Sequence, residues 1–103
     1  MQNVLPIPAM NALKKLGADI DDGRRRRRIS VALMAERAGI SPKTYLKIKN
    51  GEPAVSMAGY ASVLFVLGLS DGLREIADAA HDLTGRMLEE ERLPKRIRRS
   101  KNG

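Results

Sequence analysis

The chain reads as an all-α protein. Its apolar residues recur at three- and four-residue spacing rather than in alternation, its aromatic content is low (no Trp, one Phe, two Tyr), and Gly39, Gly51 with Pro53, and Gly68 stand at breaks in that spacing. No segment reads as a strand. At 103 residues there is room for one compact domain and some tail.

Residues 1 to 11 read as a flexible arm, because Pro6 and Pro8 lack backbone donors and bias their neighbours to extended conformations. A first helix is expected from near Ala12 to Arg27, with Leu13, Leu16 and Ile20 facing inward and that face continuing to Arg24 and Arg27. Asp21, Asp22 and Gly23 are poor helix residues, so a frayed or bent segment is expected there.

The second helix should run from Val31 to Ala38. Ser30 can cap it, Met34, Ala35 and Ala38 share a face, and Gly39 suits the left-handed conformation that ends a helix. Ser41-Pro42 then supplies a cap followed by proline at the first helical position, so a third helix to Asn50 starts only about three residues later. Gly51 and Pro53 stop it, and the spacing of Tyr45 to Ile48 assigns Tyr45 to the core.

A fourth helix, Met57 to Leu67, carries Tyr60, Val63, Leu64 and Leu67 and ends at Gly68. A fifth, Asp71 to Ala79, offers Leu73, Ile76 and Ala77 as its buried side, with Asp71 as cap. These helices make a domain over residues 12–80. Residues 81–103 form a C-terminal extension: Leu83, Met87 and Leu88 give a short amphipathic piece, expected to cover the domain core, with a dimer interface as the alternative. From Arg92 onward every charge is positive, as in a tail that stays disordered until it meets a partner. Its uses are DNA, an acidic protein or solubility alone.

Lys and Arg number 19 against 12 Asp and Glu, a net charge of +7. This favours polyanions, with nucleic acid ahead of an anionic membrane or an acidic protein. There is no cysteine and a single histidine, His81, so no metal site, cofactor or disulfide is expected. An enzyme is not expected either, because no phosphate-cradling loop or pair of carboxylates in a plausible cleft is legible. The N-terminal lysines follow the short apolar run, the reverse of a signal peptide, and no run approaches the roughly 20 apolar residues of a membrane span. A cytoplasmic protein is the expectation.

Ser30 to Gly51, SVALMAERAGISPKTYLKIKNG, is the pattern of a helix-turn-helix reader of DNA. With LGADIDDGRRRRRIS before it and a helix ending in VLGL after it, the chain resembles the Cro and phage-repressor (XRE) type of bacterial helix-turn-helix protein over about residues 15 to 70. The anchors are Ile20, Arg24, Ala35, Gly39, Ile40, Ser41, Thr44, Ile48, Gly51 and the VLGL at 66 to 69. The resemblance implies a five-helix lambda-repressor-like domain whose third helix enters the major groove. It places Ser41, Pro42, Lys43, Thr44 and Lys47 at base edges, with Lys43 and Lys47 one turn apart and suited to guanine. Asn50 matches a position that meets the sugar-phosphate backbone.

Arg25, Arg26 and Arg28 are candidate phosphate clamps; the alternative is a solvated face with arginines paired to Asp21, Asp22 or Glu36. GEPAVSMAGYASVLFVLGL and the late EEERLPKRIRR look most like small antitoxin regulators paired with HipA-like kinase toxins. That match implies a homodimer that represses its own promoter and binds a partner kinase. The competing class is a protein-binding antitoxin or anti-activator with weakened DNA binding.

The chain departs from the family pattern at Val31, where glutamine is usual, and at Asp21 and Gly23, where arginine and an apolar residue are usual. At Lys49 the family has a glutamate that pairs the arginine matched by Arg24. Two cations therefore occupy the places of an ion pair; an unpaired or repelled charge there, if buried, would destabilise by up to about a few kcal/mol, and the alternative is that Lys49 snorkels to a phosphate.

Overall fold

The computed structural model describes residues 4–91, and all regular structure among them is helical. The basic run from Arg92 onward lies outside the described residues. Five α-helices come first: α1 (Ile7–Arg26), α2 (Val31–Ala38), α3 (Pro42–Lys49), α4 (Met57–Val66) and α5 (Ser70–Arg74). The chain falls into two compact units, Met1–Leu73 and Arg74–Gly103.

In the first unit α2 packs against α3 and α4, and α1 packs against α3. Ile20, Met34, Ala35, Tyr45, Ile48, Tyr60, Val63, Leu64 and Leu67 form its core. The aliphatic spacing of the sequence maps onto this core closely. Ser30, Ser41 and Ser56 each cap the helix that follows, accepting from the N–H groups of Leu33, Thr44 and Gly59.

Two expectations about α1 are corrected. It starts at Ile7 rather than near Ala12, so residues 7–11 are helical rather than part of an arm. Pro6 sits at the cap and Pro8 in the first turn, where a missing N–H removes no helical bond. The helix also runs unbroken through Asp21-Asp22-Gly23. Asp21 is buried and fully bonded, and Gly23 lies against Leu67, where an added Cβ would stand 3.3 Å from the leucine methyl.

Where α1 crosses the end of α3 there is no room for a side chain. A Cβ on Gly17 would collide with the Ile48 carbonyl and lie 2.6 Å from that of Lys49, and a Cβ on Gly51 would lie 2.6 Å from the Leu13 carbonyl. Backbone therefore meets backbone at this seam.

Helices α1 to α4 all close with the same two-bond motif around a left-handed residue. Gly39, Gly51 and Gly68 take that position after α2, α3 and α4, with φ between 70° and 76°. Arg28 takes it after α1, with φ 56°. There the Arg28 N–H donates to the Arg25 carbonyl and the Ile29 N–H to the Arg24 carbonyl.

The fifth helix is shorter than the spacing predicts. It spans Ser70–Arg74, with Asp71 one residue inside it rather than capping it, and Leu73 only half-buried. Ile76 is 71% exposed and Ala77 is exposed, contrary to their expected burial. After a turn over residues 75–77, the Asp78 carboxylate accepts the Ala80 N–H and starts a 3₁₀ turn, Ala79–His81.

Asp82 then caps a helix over residues 83–91 through the Gly85 N–H. Leu83, Met87 and Leu88 on it are 57–70% exposed, against the expectation that they cover a core.

Candidate nucleic-acid interface

Helix α3 is anchored from within. Tyr45 and Ile48 are completely buried, while Lys43, Leu46, Lys47, Lys49 and Asn50 are exposed. Lys43 and Lys47 stand one turn apart on the exposed side. At the helix start, Ser41 Oγ accepts the Thr44 N–H at 3.0 Å and lies 3.0 Å from Thr44 Oγ1. The Ser41 hydroxyl is thus committed to shaping the helix start; Pro42 is exposed beside it and Thr44 half-buried. Ser41 therefore serves first as a positioning residue.

A polar cluster behind α3 sets its orientation. The Tyr45 hydroxyl donates to Asp21 Oδ1 at 2.7 Å, and Arg24 Nε donates to the same oxygen at 2.9 Å and to the Tyr45 hydroxyl at 3.2 Å. A second Arg24 nitrogen donates to the Ile29 carbonyl at 2.7 Å. The guanidinium also lies 5.9 Å from the centre of the Tyr45 ring, within cation–π range.

Burial alone would raise the Asp21 carboxyl. The hydrogen bonds from Arg24 and Tyr45, with the charges of Arg24 and Lys49, more than offset it and hold the group below the ordinary carboxylate range. Burial, then the bond to Asp21, pushes the Tyr45 hydroxyl up to about 12.

This cluster answers the question of an unpaired or repelled cation at Arg24. Arg24 has its counter-ion three residues earlier on its own helix, and the positive Lys49 favours the same carboxylate. The acid that Arg24 pairs with is thus carried by α1 itself, and Asp21 compensates the charges of both Arg24 and Lys49.

The arginine run divides by role. Arg25 pairs with Asp22 at 2.9 Å and lies 3.7 Å from Asp21, keeping two-thirds of its side chain exposed. Arg27 donates to the Gly23 carbonyl at 2.8 Å and to the Leu67 carbonyl at 2.9 Å, tying α1 to the end of α4. Arg26 and Arg28 are exposed and make no side-chain hydrogen bond or ion pair among the described residues. Of the candidate clamps, Arg26, Arg28 and Asn50 thus stand free on the surface, Lys49 is exposed but feels the Asp21 charge, and Arg25 is shared with carboxylates. The i,i+3 spacing of Asp21 to Arg24 and Asp22 to Arg25 carried this information in the sequence; the reach of Arg27 to α4 had no such signal.

An open cleft of about 430 Å³ runs beside α3, between the Ala38–Ile40 turn and the start of α4, with Thr44, Lys47 and Ser56 among its walls. No group of three or more His, Cys, Asp or Glu able to hold a metal occurs among the described residues. None of their helices is long and apolar enough to cross a membrane. No family model, curated protein sequence or solved structure matches the chain.

Proposed function

We propose that this protein is a sequence-specific DNA-binding repressor of the helix-turn-helix type, acting as a homodimer on a near-palindromic operator. The observation that carries this reading is the division of α3: Tyr45 and Ile48 are completely buried, and Lys43 and Lys47 share an exposed side. α2, a three-residue link and α3 would form the reading unit, with Lys43 and Lys47 toward guanine O6 and N7. Arg26, Arg28, Lys49 and Asn50 would hold phosphates, with Arg25 joining where DNA displaces Asp22. The net charge of +7 supplies the sequence-independent attraction.

The test is binding to the DNA upstream of the coding sequence, by gel shift or anisotropy at two salt concentrations with excess unrelated competitor. Saturable binding that survives competitor is the expected result. Lys43→Ala should change the base preferred in a binding-site selection, at a cost of about 1 to 3 kcal/mol for the lost contact. Removing one phosphate contact should flatten the log-affinity against log-salt slope by about 0.9. Weak binding that vanishes with salt overturns the repressor reading. It would leave the basic surface to an acidic protein partner, such as the kinase toxin that the resemblance implies.

A further inference from the structure

Helix α4, MAGYASVLFV, carries no charged residue, and only one side of it is buried. Gly59, Tyr60, Val63 and Leu64 face the core. On the other side Met57 is 71% and Phe65 73% exposed, with Leu69, just past the helix end, 43% exposed. Met57, Ala61 and Phe65 follow at i, i+4 and i+8 and form one ridge. A helix apolar all round is ordinarily covered on all sides.

We infer that this ridge is the face through which two copies of the chain associate. The inference rests on the dimer proposed above and locates its contact. Charge selects the occupant. No Lys or Arg occurs between Lys49 and Arg74, in a chain that has 19 of them, so α4 itself carries no cation to draw DNA or an anionic membrane. The cations near it, Lys47 across the cleft from Ser56 and Arg27 at the Leu67 carbonyl, lie toward its ends. Two copies that each carry +7 repel, and a ridge whose own residues carry no cation is where they meet at least electrostatic cost.

The ridge is also self-complementary. Ala61 is small and lies midway between Met57 and Phe65, so a two-fold axis through it lets the helices approach and sets each Phe65 against the Met57 of the other copy. Thioether and aromatic ring attract in that arrangement. The patch is on the order of several hundred Å² per copy, at the small end of specific interfaces.

The experiment is sedimentation equilibrium of the full chain without DNA, from about 5 to about 500 µM. A reversible monomer–dimer equilibrium is expected, weakened at least about tenfold by Phe65→Glu with the thermal transition unchanged. The chain has no cysteine, so Ala61→Cys gives a second measurement that holds even where Phe65→Glu fails to fold. Mild oxidation should yield a covalent dimer from Ala61→Cys faster than from Met87→Cys, on the exposed helix 83–91. A chain monomeric throughout, a dimer indifferent to a folded Phe65→Glu, or faster crosslinking at position 87 overturns the inference. DNA plays no part in these measurements, so a monomer that still bound its upstream DNA would refute this interface and leave DNA binding standing.

Discussion

Asp21 on α1 and Tyr45 on α3 meet across the interhelical seam through one hydrogen bond of 2.7 Å, and the accepting oxygen also takes the Arg24 guanidinium. Three side chains so joined fix the rotation of α3 about its own axis, and with it which residues face outward. Leaving one member unpaired in a buried site costs more than the net worth of its bonds.

Asp21→Asn removes the counter-ion of Arg24 while keeping size and one acceptor. It should lower stability by about 2 to 4 kcal/mol, read by urea denaturation. Lys49→Glu should act with opposite signs in two backgrounds. In the natural chain it sets a second acid near Asp21 and should destabilise by about 1 kcal/mol; in Asp21→Asn it supplies the missing counter-ion and should recover a similar amount. Additive effects in that double-mutant cycle would refute the compensation.

The same cluster makes two pH limbs. Asp21 is depressed below the ordinary carboxylate value, so its contribution is present above about pH 4 and is lost as pH falls through its lower folded pKa. Tyr45 is raised to about 12, so its contribution is complete below about pH 10 and is lost as pH rises from there toward 12. Stability against pH should therefore fall at both ends. Asp21→Asn should flatten the acid limb. Tyr45→Phe should flatten the alkaline one only in part, because burial and the nearby Glu52 raise Tyr60 as well.

Gly17→Ala should cost about 3 kcal/mol or more, because the new methyl meets the carbonyls of Ile48 and Lys49, which are rigid backbone. Gly72→Ala is the control. Nothing lies within 4 Å of its added Cβ and it sits in α5, so it should be neutral or stabilise by up to about 1 kcal/mol. Thermal melts of the two variants compare a collision with open space.

What the sequence revealed and what it hid follow the range of each interaction. Ser30, Ser41 and Gly39 mark helix ends because a cap is a local bond, and Met34, Ala35, Ile48 and Val63 mark the core because helical spacing is local too. Pro8 misled because proline both stops helices and opens them. Ile76 misled because spacing does not register that α5 stops at Arg74 and the chain turns over residues 75–77. At the candidate site, the exposure of Lys43 and Lys47 was legible from the position of Tyr45. The role of Asp21 was not, since an acid three residues before an arginine reads equally as a solvated pair, and only tertiary contact with Tyr45 buries it.

Arg28 holds a left-handed conformation that glycine holds after the next three helices. Arg28→Gly should stabilise the chain by about 0.5 to 1 kcal/mol while weakening DNA binding and reducing the salt slope by about 0.9. A gain in stability with no change in slope would remove Arg28 from the phosphate contacts.

Because α1 and α3 touch through glycine backbone at Gly17 and Gly51, the placement of α3 depends little on which side chains it displays outward. The side chains at positions 43, 47 and 50 are exposed, and Leu46 is 45% exposed. Variation can rewrite that face with little disturbance to its mount, so diverging copies of this chain would be free to present new surfaces while keeping the same architecture.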